Sequence, residues 1–154
     1  MIDKLLARSY PTLMAGAYRK EVLLVALPIL TKSSPELLKS GTYYVAEESG
    51  RILGCGGWTF ERPGTSELTP GLAHLRHFAT DPAFVRQGVG RMIFRECARA
   101  AAHEGATTFQ AYSSLNAESF YRSLGLTRVK EIDLPKRLTV AIPAIFMEGS
   151  IRGE

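Results

Sequence analysis

The chain is poor in cysteine, with only Cys55 and Cys97 in 154 residues. Two thiols at that separation form no disulfide framework and match no metal-ligand spacing, so no metal site is expected. Long apolar runs are missing too. The best, residues 22–30, is interrupted by Pro28 and falls far short of the roughly 20 residues a membrane helix needs. Met1-Ile2-Asp3-Lys4 opens no apolar export signal. There is no internal repeat, no low-complexity block and no run of three basic residues. No aromatic stripe accompanies the arginines, as a base-stacking surface would require. These absences predict a cytoplasmic protein with neither membrane nor nucleic acid as partner.

What is present is ordinary globular material, 45% hydrophobic and 22% charged. The length suits one domain spanning residues 1–154. The formal charge is +4. Arg86, Arg91, Arg95 and Arg99 fall close together, with Glu96 the sole acid among them, and this clustering predicts a local anion site.

Apolar spacing predicts helices over residues 3–9 and 12–27, with Pro11 breaking or kinking the first stretch and Pro28 ending the second. Ser34-Pro35-Glu36 reads as an N-cap with proline at the first helical position. Period-two patterns over residues 42–47 and 51–60, joined by Glu48-Ser49-Gly50, predict a hairpin. A polar loop over 61–71 and a strand over 72–80, stopped by Asp81-Pro82, come next. Residues 88–104 form the best helix, with Val89, Ile93, Cys97 and Ala101 on one stripe and Gly105 as its cap. A strand over 107–112, a helix over 117–124 closed by Gly125, and strands over 126–134 and 138–147 complete the order, the last broken by Pro143. The fold class is mixed α/β (α+β), with helices covering a sheet. The apolar terminal strand offers a surface for a possible homodimer.

Arg86-Gln87-Gly88-Val89-Gly90-Arg91 lies between a strand and that best helix. Unpaired N–H groups at a helix start, behind glycines that allow close approach, suit a phosphate. A dinucleotide fingerprint would need a third glycine where Ile93 stands, and a Walker loop would need Gly-Lys-Ser/Thr. The stretch from Thr80 to Arg91 resembles instead the central motif of the GCN5-related N-acetyltransferase (GNAT) superfamily. Residues 114–126, SLNAESFYRSLGL, resemble its late motif, where a helix ends in Phe-Tyr-x-x-x-Gly-Phe. The likeness covers roughly residues 40–150. Val85 stands where the family usually has Gln or Arg, and Ser114 where it usually has Asn. The family's first strand is absent from the pattern.

The resemblance implies a mostly antiparallel sheet, splayed at its central strands, and acetyl-CoA as acyl donor. It places the pyrophosphate on the backbone of Val85, Arg86, Gln87, Gly88, Val89, Gly90 and Arg91. Pantetheine would pair with the strand edge Phe78-Ala79-Thr80, and Ser114 and Asn116 would complete the contacts. The expected reaction is direct attack of a small-molecule or peptide primary amine on the thioester. Tyr121 matches the family's proton donor to the leaving thiolate. Counting back six residues from Thr80 gives His74 as candidate base, with water as the competing acceptor of the proton; Phe109 leaves another family base position vacant. Trp58, Phe60 and Tyr44 are candidates for acceptor contact or for core. Cys55 lacks a histidine partner and is not expected to be a nucleophile. The alternative to an enzyme is a non-catalytic acyl-CoA-binding sensor.

Overall fold

The computed structural model describes residues 2–134 and 141–151. Three helices come first: α1 (Ile2–Met14), α2 (Lys20–Leu30) and α3 (Pro35–Lys39). Strands β1 (Tyr43–Glu48), β2 (Arg51–Thr59) and β3 (Leu72–Thr80) follow, then α4 (Val89–His103), β4 (Thr108–Ser114), α5 (Glu118–Ser123), β5 (Thr127–Leu134) and β6 (Ile142–Ser150). The six strands form one sheet in the order β1-β2-β3-β4-β6-β5. Only the β3–β4 pairing is parallel. The mixed, mostly antiparallel sheet with flanking helices is the architecture that the element order and the resemblance imply. Among the described residues no helix is long and apolar enough to cross a membrane.

Local signals mostly hold. Ser34 caps α3 by accepting from the Leu37 N–H at 3.3 Å, with Pro35 at the first helical position. The hairpin turns through Ser49 and Gly50, both at positive φ, a two-residue turn whose twist suits the strands. On α4 the buried residues are Val89, Ile93, Cys97 and Ala101, the stripe the sequence predicts. They pack on Leu53, Trp58, Ala73, Leu75 and Phe109 to form the main core.

Both N-terminal prolines behave differently from expectation. Pro11 sits inside α1 and Pro28 inside α2, and the chain turns between Met14 and Lys20 instead. An interior proline costs about 3 kcal/mol, because a backbone bond is lost and the ring meets the preceding turn. In α1 that cost is offset by burial of Leu5 and Leu6 against Cys55 and Ala79 on the sheet face opposite α4. Met14, Tyr18 and Ala26 pack on Ile142 and anchor the α1–α2 corner.

Pro143 does not break the last strand either. It pairs in register with Asp133 of β5, while the β4 pairing begins only at Ala144, so no β4 bond is lost to the missing N–H. Residues 138–140 of the predicted strand lie outside the described residues. Its described part is the inner strand β6, with Ile142, Ala144, Ile145 and Met147 buried in the chain's own core. These side chains are therefore not the exposed dimer surface that composition suggested.

Candidate active site

The sheet splits at its centre. β3 and β4 pair only through Leu72–Thr108, Ala73–Phe109 and His74–Gln110, although each strand runs on for several residues. Beyond His74 the β4-facing edge of β3 has no partner strand among the described residues, so backbone groups there are open to a ligand.

A bulge sharpens the split. On the β2 side the register runs from Gly57–Arg76 to Cys55–Ala79, which leaves His77 and Phe78 without cross-strand partners. His77 takes φ of 54°, and the extra residue reverses the alternation of side chains between Arg76 and His77. Leu75 lies in the α4 core, whereas Ala79 lies under α1. His77 stacks on Tyr10 of α1, while Phe78 packs against Phe120 and Tyr121. Strict alternation would have grouped Phe78 with His74 and Arg76, and Leu75 with His77 and Ala79; the bulge corrects both groupings. Two phenols hold it. The Tyr43 hydroxyl donates to the His77 carbonyl at 2.8 Å and the Tyr10 hydroxyl to the Phe78 carbonyl at 3.0 Å.

A cavity of about 1030 Å³ runs along the split. It is lined by Phe78, Ala79, Thr80, Val85, Arg86, Gly88, Val89, Gly90 and Arg91, and from the other side by Ser114, Asn116 and Tyr121. Of the residues predicted for the cofactor, only the exposed Gln87 stays off this wall. His74 is also off it: 4% exposed, it lies on the paired part of β3. Burial, with Arg76 and Arg62 nearby, pushes its pKa below the ordinary imidazole value.

The turn before α4 has a backbone geometry that can receive an anion. Arg86 and Gly88 both adopt left-handed backbone, with φ of 63° and 81°. Gly88 is the N-cap of α4 and supplies no side-chain cap, so the first-turn N–H groups point outward unpaired. Gly90 is required by packing, since a Cβ there would lie 2.8 Å from the Phe120 ring. Of the four clustered arginines only Arg86 and Arg91 line the cavity; Arg99 is bound to Glu96.

Two buried polar atoms lack any partner among the described residues, Ser9 Oγ and Asn116 Oδ1, and both residues line this cavity. Buried polar atoms are nearly always paired. An amide-bearing, phosphorylated ligand along the strand edge would complete the set, so the residues present fit an acyl-CoA.

Asp81 braces the turn. It is buried, accepts from the Ala83 N–H at 3.0 Å, and holds Arg8 of α1 at 3.1 Å and Arg51 of β2 at 3.2 Å. Burial alone would raise its pKa, but that N–H and the two guanidiniums outweigh it and hold the carboxyl below its ordinary range. With the folded pKa below the unfolded value of about 3.9, the stabilisation is complete above roughly pH 4 and is lost as pH falls through the folded pKa. Asp81→Asn is expected to cost about 1–3 kcal/mol at pH 7 and progressively less towards pH 2, as measured by urea unfolding. An equal cost at both pH values would show that the charge contributes nothing.

Tyr121 projects from α5 into the core side of the split. It is 7% exposed, packs edge-on to Phe78 and Phe120, and its hydroxyl makes no hydrogen bond to any described residue. Burial, with Cys97 nearby, raises the phenol pKa. Cys55 is fully buried and its thiol is pushed up to about 11, which fits a core thiol rather than a nucleophile. Trp58 is core as well, with its indole Nε1 donating to the Tyr44 hydroxyl and its ring edge-on to Phe60. None of these three aromatics lines the cavity.

Sequence reasoning missed the other half of the wall. Tyr10, Leu13, Met14, Leu30 and Leu37 come from the N-terminal helices, and Arg76, His77 and Tyr112 from the split strands. The one available signal was the adjacent Arg76-His77 pair within a mainly apolar strand.

A split sheet with a glycine turn at the head of the following helix is the arrangement of acyl-CoA-dependent N-acyltransferase folds. The model of the acetyltransferase (GNAT) domain matches residues 39–127, and the chain belongs to that family. Solved structures agree across nearly the full length. A GCN5-related N-acetyltransferase from Rhodopseudomonas palustris superposes with a TM-score of 0.76 at 16% identity, over 97% of this chain and 87% of that one. The PaiA N-acetyltransferase from Thermoplasma acidophilum, in complex with coenzyme A, gives 0.68 at 16% identity over 96% and 89%. An aminoglycoside 6'-N-acetyltransferase complexed with coenzyme A gives 0.65 at 12% over 99% and 92%. At such identities the likeness establishes the fold. No curated protein matches the chain in sequence.

Proposed function

We propose that residues 1–154 form a single acyl-CoA N-acyltransferase unit that transfers the acetyl group of acetyl-CoA to the primary amine of a small molecule or peptide. The observation that carries this reading is the split after His74–Gln110, with the unpaired β3 edge on one side and Tyr121 on the other.

In this reading the backbone from Val85 to Arg91 holds the pyrophosphate, with Arg86 and Arg91 supplying charge. The edge Phe78-Ala79-Thr80 pairs with the pantetheine amides, and Ser114 and Asn116 face it across the split. Acetyl-CoA brings an activated thioester: the amine nitrogen bonds to its carbonyl carbon, the carbon–sulfur bond breaks, and coenzyme A leaves as the thiol. A backbone N–H in the bulge at His77–Phe78 stabilises the carbonyl oxygen as charge builds on it. Tyr121 gives its proton to the leaving sulfur. A phenol kept neutral by burial is suited to donating at neutral pH. Of the two candidate acceptors for the amine proton, water is favoured over His74, which has no contact with the cavity.

Calorimetric titration with acetyl-CoA, then thiol release in the presence of amines, tests the reading. His74→Gln, checked for an intact fold, is expected to leave kcat/KM within about threefold and the pH profile unmoved, against the roughly 10²- to 10⁴-fold that loss of a general base costs. A loss of that size with an altered profile would return the base role to His74. Failure of a folded protein to bind acetyl-CoA would overturn the whole reading.

A further inference from the structure

The described cavity wall contains three arginines and a histidine, and no aspartate or glutamate. Arg86 and Arg91 belong to the turn before α4. Arg76 stands apart, in the middle of β3, where the sheet has just opened. It is half-buried and donates from Nη1 to Thr59 Oγ1 at 3.1 Å. No carboxylate of a described residue approaches it within 4 Å; every such ion pair involves other arginines. The nearest acids, Glu36 and Glu61, line an adjoining hollow that Arg76 also borders.

Burial lowers the Arg76 pKa, against the opposing pull of Glu61 and Glu36. A guanidinium so placed gains most from a planar carboxylate, which it can grip through two parallel N–H donors. Most of the wall from the N-terminal helices is apolar or aromatic, formed by Tyr10, Leu13, Met14, Leu30 and Leu37, with Ser9 and Ser34 the polar side chains among them. His77, beside Arg76, is held by Tyr10 stacking and a 3.0 Å contact from Nε2 to the Leu30 carbonyl, and burial lowers its pKa, so it adds no charge at neutral pH. An acceptor with several amines would find no counter-ion on the described wall and would meet a cation. An amine that also carries one carboxylate and an apolar body would find a partner for each part.

We infer that the acceptor is an amino acid with an apolar side chain, whose carboxylate is bound by Arg76 while its side chain lies against the α1–α3 wall. This deepens the acetyl-transfer reading and rests on it. The amine nitrogen forms the amide bond as the carbon–sulfur bond breaks; it releases one proton to water, the thiolate takes one from Tyr121, and the phenol regains its proton from water. Arg76 takes no part in these transfers and sets specificity.

The test compares L-leucine and L-phenylalanine with isopentylamine and phenethylamine, the same bodies without the carboxylate, and with spermidine as polyamine. Each is assayed for thiol release at saturating acetyl-CoA, at a pH adjusted so that equal fractions of amine are neutral. The amino acids are expected to exceed their decarboxylated analogues in kcat/KM by at least about tenfold. Arg76→Gln should erase that preference through KM, leaving kcat/KM for the plain amines and the Kd of acetyl-CoA unchanged. Arg76→Lys should retain part of it, which separates lost charge from a lost fold. A preference for plain amines or spermidine, or an equal loss on all acceptors in the variant, overturns the inference. So does a protein that binds acetyl-CoA while neither acetylating the amino acids nor, when loaded with coenzyme A, binding N-acetyl-leucine in ligand-observed NMR. If acetyl-CoA itself does not bind, the underlying acetyl-transfer reading fails instead.

Discussion

Replacing Tyr121 with phenylalanine is expected to lower kcat by roughly 10²- to 10³-fold while the Kd of acetyl-CoA shifts by less than about twofold. The substitution is clean for a structural reason. The Tyr121 hydroxyl makes no hydrogen bond to a described residue, so its removal orphans no partner, and a phenylalanine ring keeps the packing on Phe78 and Phe120. What disappears is a proton at the cavity wall. Burial raises the phenol pKa, so the donor stays protonated across the whole range in which an amine becomes nucleophilic. The wild-type rate should therefore climb with pH as the acceptor loses its proton, with no falling limb from Tyr121 below about pH 10. Stopped-flow or steady-state thiol release, paired with calorimetry, separates the two quantities. Unchanged turnover would remove Tyr121 from the chemistry. Equal loss of turnover and affinity would make it a packing residue.

Gly88→Glu is expected to weaken acetyl-CoA binding at least about 100-fold. The residue has two properties that act separately. Its φ of 81° is a conformation an L side chain adopts at a cost of about 1–2 kcal/mol, and that strain falls on the unliganded and liganded protein alike. Its Cβ position meets no atom within 4 Å, so a longer side chain has room and its carboxylate can lie beside the bound anion. Like charges about 4 Å apart at an effective dielectric constant near 20 repel by roughly 4 kcal/mol per charge, above the roughly 2.8 kcal/mol that a 100-fold change requires. Gly88→Ala carries the strain without the charge and should lower the melting temperature while leaving Kd within about fivefold. Wild-type affinity in Gly88→Glu would place the pyrophosphate elsewhere than on the 85–91 turn.

Features governed by neighbours in the chain were legible from residue order. The Ser34 cap, the Ser49-Gly50 turn, the bounds of β3 and the buried stripe of α4 each depend on a few consecutive residues. The glycine turn and Tyr121 were legible as motifs. Misreadings arose where a local rule met a distant partner. Pro11 should interrupt a helix, but the burial of Leu5 and Leu6 under the sheet holds α1 together. Pro143 should interrupt a strand, but β4 does not extend far enough to need its N–H. Trp58 and Tyr44 could have served a substrate or the core, and packing under α4 decided for the core.

By itself, then, the amino-acid order determined the mixed α/β class, the family, and the glycine turn before α4, because periodicity, caps and glycine placement are written over short spans. Only the tertiary structure decided which faces those residues present. The bulge at His77 arises from a register mismatch with β2 and is held by the hydroxyls of Tyr43 and Tyr10, residues far off in the chain. It turns Phe78 towards Tyr121, and the opening of the sheet beside it leaves Arg76 on a cavity wall whose described residues include no carboxylate. No local pattern encodes such a reversal, since it depends on which strands pair and where their pairing stops.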